Sequence, residues 1–301
     1  MIEVLTLGEC MAVLYPDEPV KLENAPRVLL NIAGAEANFA IGMSRLGHRV
    51  RYISRVGDDP FGLRIRQTLA EEGVDVTYLM TDPSAPTGVF FREWLPDGAR
   101  RVYYYRTGSA ASQMIPDDLS PSIFTGTRLV HLTGITPALS PGCKETVARA
   151  FELARQSRAT ISFDPNYRAR LWEAAEARKT LLPFIARADI LLMGHEDSQA
   201  LLGTEADNAL DQVAGLGPKI VVLKQAERGA TALADGVRTH IPAYPVDAVI
   251  DPVGAGDGFD AGFLSAWLRD QSIEDALRLG ARIGAAAVSA LGDYGGFPRQ
   301  I

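Results

Sequence analysis

Cysteine is nearly absent from this chain of 301 residues: Cys10 and Cys143 are the only two, far apart and in no metal or disulfide spacing. That excludes a disulfide scaffold and predicts a reducing compartment. Histidine is almost as scarce. His48, His131, His195 and His240 are scattered without ligand spacing, and no serine sits in a nucleophile elbow, so a zinc or serine hydrolase is a poor fit. No apolar run is long enough for a membrane span. The start, Met1-Ile2-Glu3-Val4-Leu5-Thr6-Leu7-Gly8-Glu9, carries neither a basic leader nor a long apolar stretch, so no export signal is read and a soluble, cytoplasmic protein is expected. Basic charge is in deficit, with 30 Lys and Arg against 37 Asp and Glu and a net charge of -7. This argues against nucleic acid or a membrane surface as partner, and an anionic ligand must be held by local groups. Two nucleotide fingerprints are missing as well. No Gly-x-x-x-x-Gly-Lys-Ser/Thr occurs, and no Gly-x-Gly-x-x-Gly follows the first strand, which weakens P-loop and dinucleotide-binding readings.

What is present is a strand and helix rhythm. Ile2 to Leu7, Val50 to Val56, Arg128 to Leu132, Thr160 to Phe163, Ala188 to Met193 and Lys219 to Leu223 read as buried strands. Helical spacing between them, for example from Lys144 to Arg155, predicts an α/β domain whose mostly parallel sheet is covered on both faces. With 47% hydrophobic residues, no repeat and no linker, one continuous domain over 1–301 is expected. Two stretches break the rhythm. Cys10 to Leu30 holds Pro16, Pro19 and Pro26 and is too broken for a long core element. Thr87 to Arg106 reads as a hairpin about Asp97-Gly98, part of a small sheet outside the main layer. Tyr104 and Arg106 share a face of it, suited either to gripping a polar ligand or to packing the sheet on the body or a second subunit.

Two glycine turns open into helices. In Asp251-Pro252-Val253-Gly254-Ala255-Gly256-Asp257-Gly258-Phe259, apolar residues recur at helical spacing from Phe259, so Gly254-Ala255-Gly256 lies at a helix N-terminus. Small residues there admit a close ligand, and the unpaired amides of the first turn suit an anion such as a phosphate. Asp257, in that turn, reads equally as a cap or a catalytic carboxylate. Earlier, Ala33-Gly34-Ala35-Glu36-Ala37-Asn38 leads into a helix ended by Gly47, with Asn38 one turn in. Gly57-Asp58-Asp59-Pro60 reads as a helix cap or a ligand contact, and Asp260, one turn after Asp257, as solvated or as raising the pKa of Asp257.

With Gly34 to Gly47 near the front and Asp251 to Phe259 near the back, nearly the whole chain resembles the ribokinase-like, B-type phosphofructokinase family of carbohydrate kinases. Tyr103 to Ala110, Gly134 to Ser140 and Asp164-Pro165-Asn166-Tyr167-Arg168 are most similar to its 2-keto-3-deoxygluconate kinases. The resemblance implies a three-layer α/β/α fold with a small β-sheet lid, formed by segments about 10–32 and 88–108. It implies ATP-dependent phosphorylation of 2-keto-3-deoxygluconate to the 6-phosphate, with Asp257 as general base and Gly254, Ala255 and Gly256 as the anion hole. Gly34, Asn38, Phe90, Tyr104, Arg106, Arg168 and Asp293 would hold the sugar, the two arginines meeting its acid end. Asn166, Arg168, Lys224, Ala226 and Gly229 would take the nucleotide, with the adenine between the loop near Gly229 and the last helices. The family's Asn-x-x-Glu motif is here Gly194-His195-Glu196-Asp197, so Mg²⁺ is expected to travel with ATP and to meet Asp197 at most through water. A homo-oligomer through the lid sheet is implied too. The alternatives are a fructokinase, a ribokinase, a kinase of the galacto epimer, or a non-catalytic sugar or nucleotide sensor.

Overall fold

Strands buried on both faces need a covering on each side, and the chain supplies it by crossing over with helices. The computed structural model describes residues 1–95, 99–204 and 206–299. Its main sheet is built from β1 (Val4–Leu7), β4 (Val50–Gly57), β5 (Leu79–Asp82), β8 (Leu129–Thr133), β9 (Thr160–Asp164), β10 (Ile190–Gly194), β11 (Ile220–Lys224), β12 (Ala230–Ala234) and β13 (Val237–Ile241). They lie in the order β13-β12-β11-β10-β9-β8-β1-β4-β5, parallel except for the β11-β12-β13 meander at one edge. Alternation along the strands sorts the core into two clusters. Val4, Leu129, Ile190, Leu192 and Val222 face one way, under α1 (Ala35–Arg45), α2 (Pro60–Glu71), α7 (Ala255–Leu268) and α8 (Ile273–Val288). Leu5, Leu7, Val130, Ile161, Phe163 and Val221 face the other, under α3 (Pro141–Ser157), α4 (Ala174–Ile185) and α6 (Ala206–Ala214). A single turn, α5 (His195–Asp197), leaves the end of β10.

The second sheet has four strands in the order β3-β2-β6-β7, from β2 (Met11–Tyr15), β3 (Leu29–Ala33), β6 (Val89–Trp94) and β7 (Arg100–Tyr105). The expected broken segment therefore holds a strand at each end, with Pro16, Pro19 and Pro26 confined to the connection between them. In the hairpin, β6 and β7 pair antiparallel from Val89↔Tyr105 to Trp94↔Arg100. The expected turn at Asp97-Gly98 lies outside the described residues. Met11, Val13, Tyr15, Ala33 and Phe90 line the inner face of this sheet, against Leu291.

The two helices at the carboxyl-terminal end hold the glycine turn at Gly254 firmly. Phe263, Leu264, Ala266 and Leu268 of α7 are buried, and a Cβ on Gly262 would meet Gly280 Cα of α8 at 2.8 Å. Each fully buried Phe or Leu contributes about 1.5–3 kcal/mol, so the start of α7 stands on a rigid base.

Candidate active site

Parallel strands end at a common edge, and open α/β sheets bind ligands there. Here that edge carries Glu9, Asp164, Gly194 and Lys224, which border one cleft of about 1180 Å³ roofed by the second sheet. Every site residue read from the sequence lines it. Gly34, Asn38, Phe90, Tyr104, Arg106, Arg168 and Asp293 are in the cleft together with Gly254, Ala255, Gly256 and Asp257, and so are Asn166, Asp197, Lys224, Ala226 and Gly229.

The glycine turn is shaped by a close approach. Gly254 caps α7 with φ +83°, and a Cβ there would drive into the carbonyl oxygen of Asp293, so both conformation and space demand glycine. The first backbone bond of α7 runs from the Gly258 amide to the Gly254 carbonyl at 2.8 Å. The amides of Ala255, Gly256 and Asp257 precede it and have no acceptor in the helix. Gly34 plays a similar part at α1, where a Cβ would strike the Glu9 carbonyl oxygen. Asn38, one turn into α1 and buried, donates from Nδ2 to Asp257 Oδ2 at 2.8 Å.

Asp257 is part-exposed to the cleft but starved of bulk water. Burial pushes its pKa up to about 7, against the hydrogen bond from Asn38 and the attraction of Arg168. Its neighbour on the helix differs from one expectation. Asp260 is not solvated: it is 1% exposed, and Lys224 Nζ donates to its Oδ1 at 2.9 Å and to Asp164 Oδ2 at 2.9 Å. One turn along α7 points Asp260 toward the ends of β9 and β11, where Lys224 is the counter-ion. Burial works against the Lys224 charge, yet the two carboxylates outweigh it and raise its pKa.

The two arginines read as acid receptors are placed differently. Arg106 Nε donates to Glu9 Oε2 at 2.7 Å, so the buried Glu9 already balances its charge, and its guanidinium lies 5.5 Å from the Tyr104 ring. Tyr104 is in turn 5.5 Å from Phe90. Arg168 is exposed in the cleft and has no hydrogen bond or ion pair from its side chain among the described residues. Asp197 is occupied: its Oδ1 and Oδ2 accept from the amides of Tyr167 and Gly194, each at 2.7 Å. Burial and the like charge of Asp164 push its pKa up to about 6 against those bonds. Among the described residues no group of three or more His, Cys, Asp or Glu could hold a metal.

At the other end of the cleft, Asn166 and Ala226 adopt left-handed φ of +41° and +50°, and Gly229 has φ +89°. The Asn166 amide bonds Asp164 Oδ1 at 2.9 Å. The Asp59 side chain caps α2 through the Gly62 amide at 2.8 Å, which decides for capping at that turn.

Four contributors escaped the sequence reading: Glu9, Glu36, Arg92 and the ion pair of Asp260. Glu36 is fully buried and accepts from Thr133 and Thr136 hydroxyls at 2.6 and 2.7 Å. A charge directly after a first strand, or an arginine at an inward position of an apolar strand, was the available signal. Their partners lie far away in sequence.

Comparison with known proteins shows the family. The profile of the pfkB family carbohydrate kinases matches residues 1–299. The chain belongs to that family. It is therefore an ATP-dependent sugar kinase. The kinase is 35% identical to a 2-dehydro-3-deoxygluconokinase of Bacillus subtilis (strain 168), over 99% of this chain and 93% of that one. It is 36% identical to a protein of the same name from Thermoproteus tenax, over 99% and 92%. A Klebsiella pneumoniae fructokinase aligns at 33%, over 98% and 96%. A structure from E. coli in complex with ATP and Mg²⁺ superposes on the kinase with a TM-score of 0.91 at 25% identity, covering all of this chain and 96% of that one. The ribokinase-like fold expected from the resemblance is the fold of these neighbours.

Proposed function

We propose that the kinase transfers the γ-phosphoryl group of ATP to the terminal hydroxyl of 2-keto-3-deoxygluconate, giving 2-keto-3-deoxy-6-phosphogluconate. The observation that carries this reading is the convergence, in one cleft, of Asp257, the first-turn amides of Ala255 and Gly256, and Arg168, whose side chain has no hydrogen bond or ion pair among the described residues. Asp257 takes the hydroxyl proton as the acceptor oxygen attacks phosphorus. Its raised pKa suits a base working near neutrality. Phosphoryl transfer is largely positioning and charge stabilisation, and the amides at the start of α7 meet the charge that develops on the transferring group.

Specificity for an acid rests on Arg168. A guanidinium with no hydrogen bond or ion pair among the described residues is paired by a substrate carboxylate and left unpaired by a neutral sugar. Arg106, already balanced by Glu9, is left to hold hydroxyl or keto oxygens with Gly34, Asn38, Phe90, Tyr104 and Asp293. The adenine lies between the turn at Gly229 and α8, with Asn166, Lys224 and Ala226 nearer the phosphates. Both Asp197 carboxylate oxygens already accept backbone amides, which fits a Mg²⁺ that would be brought by the ATP phosphates and would meet Asp197 only through water; it would supply neutralisation of phosphate charge. The relatives' names support the substrate. Cytoplasmic residence and a homo-oligomer paired through the outer face of the lid sheet complete the reading.

The test is the initial rate with ATP and Mg²⁺ on 2-keto-3-deoxygluconate, its galacto epimer, fructose and ribose. The keto-acid is expected to give the highest kcat/KM, and faster turnover of fructose or ribose defeats the assignment.

A further inference from the structure

One side chain of the lid sheet is built into the body beside the phosphate turn. Alternation along β6 puts Arg92 on the inner face with Phe90, and it is 2% exposed. Its Nη1 donates to Asp293 Oδ1 at 2.9 Å, and Nη2 stands 3.0 Å from Asp251 Oδ2, an ion pair without hydrogen-bond alignment. The guanidinium also lies 4.6 Å from the Tyr15 ring. The Asp251 carboxylate holds backbone amides near Gly254, and the main chain of Asp293 packs against Gly254 itself. Asp251, fully buried, accepts from the amides of Val253 at 3.3 Å and Gly292 at 3.2 Å. Asp293 supplies the carbonyl oxygen that a Cβ on Gly254 would strike. Buried ion triads are a poor way to gain stability, since apolar residues of similar volume do as well or better. The triad joins β6 of the second sheet to residues on both chain segments around the turn at Gly254.

We propose that Arg92 is a positioning residue that couples the two halves of the cleft: an acceptor that fixes the lid fixes Asp251 and Asp293 through Arg92, orders the amides of Ala255 and Gly256, and so tightens nucleotide binding. The inference rests on the kinase reading of the cleft, but not on which sugar is preferred. The experiment therefore uses whichever acceptor the wild type phosphorylates fastest.

Calorimetric titration of a non-hydrolysable ATP analogue with Mg²⁺ is run with and without saturating acceptor. In the wild type the acceptor is expected to tighten the analogue about 5- to 150-fold, the usual range of coupling between sites. In Arg92→Lys, and in Arg92→Met/Asp251→Asn, which removes one charge of each sign, the ratio falls toward one. The separate affinities change less than about threefold, and kcat falls more than KM rises. A wild-type ratio of one, or variants that keep the wild-type ratio, overturns the proposal. So does a loss of acceptor affinity with the ratio intact, which would mark Arg92 as a direct contact. Should a variant fail to fold, hydrogen exchange on the wild type decides: acceptor alone is expected to slow exchange in residues 252–257, and unchanged exchange overturns the coupling.

Discussion

Asp257 is held where its ionisation is costly, and this has a sign that can be measured. Its pKa, about 7 when folded and 3.8 ordinarily, means the folded state binds the proton more tightly. Its contribution to stability is therefore present at low pH and is lost as pH rises through the window between those values. Asp257→Asn, which removes the charge and keeps an acceptor for Asn38, is expected to raise Tm more at pH 8 than at pH 5 by scanning calorimetry. An equal shift at both pH values would show that the carboxylate is not strained there. As the proposed base it would work when ionised, so kcat/KM for the wild type should fall below a limb near pH 7. At Arg168, replacement by Ala removes the proposed charge-assisted contact with the keto-acid, worth about 1.5–3 kcal/mol, so its KM should rise about 10- to 100-fold. Turnover of fructose by the same variant, measured in parallel, should change little. An equal loss for both would move the acid receptor elsewhere.

The glycine turn with α7 was the most legible element, because its signals are local. Glycine at 254, the apolar spacing from Phe259 and the anionic first turn lie within a few residues, and the structure keeps all three. Gly254→Ala must place a side chain in left-handed backbone against the Asp293 carbonyl, and is expected to cost more than about 1 kcal/mol of stability. Its kcat should fall about 10²- to 10³-fold, as for a lost oxyanion donor. Urea denaturation and steady-state rates check the two effects, and an Ala variant of full activity would deny the turn its role. What periodicity could not show was the charge buried beneath that turn. Lys224 finds Asp260 36 residues away and Asp164 60 residues away, and Arg92 finds Asp293 201 residues away. Asp260 looked like a surface carboxylate because its counter-ion belongs to another strand.

At the scale of the whole molecule, the strand and helix rhythm was readable because each parallel strand is an apolar run between polar turns. The lid was readable only as an interruption of that rhythm. Its outer face carries Phe91, Tyr103 and Tyr105, with Tyr105 68% exposed, and the proposed oligomer would cover them. Light scattering on Tyr105→Glu should give a smaller mass than the wild type, whereas equal masses would place any interface elsewhere. The proposed phosphoryl transfer depends on Asp257 as the group that accepts the proton. Its most direct test is the single-turnover rate of phosphoryl transfer in Asp257→Asn at pH 8, with keto-acid affinity measured by calorimetry on the same sample. The expected result is a rate lower by about 10²- to 10⁴-fold with sugar binding nearly unchanged; an Asn variant that still transfers phosphate at the wild-type rate would contradict it.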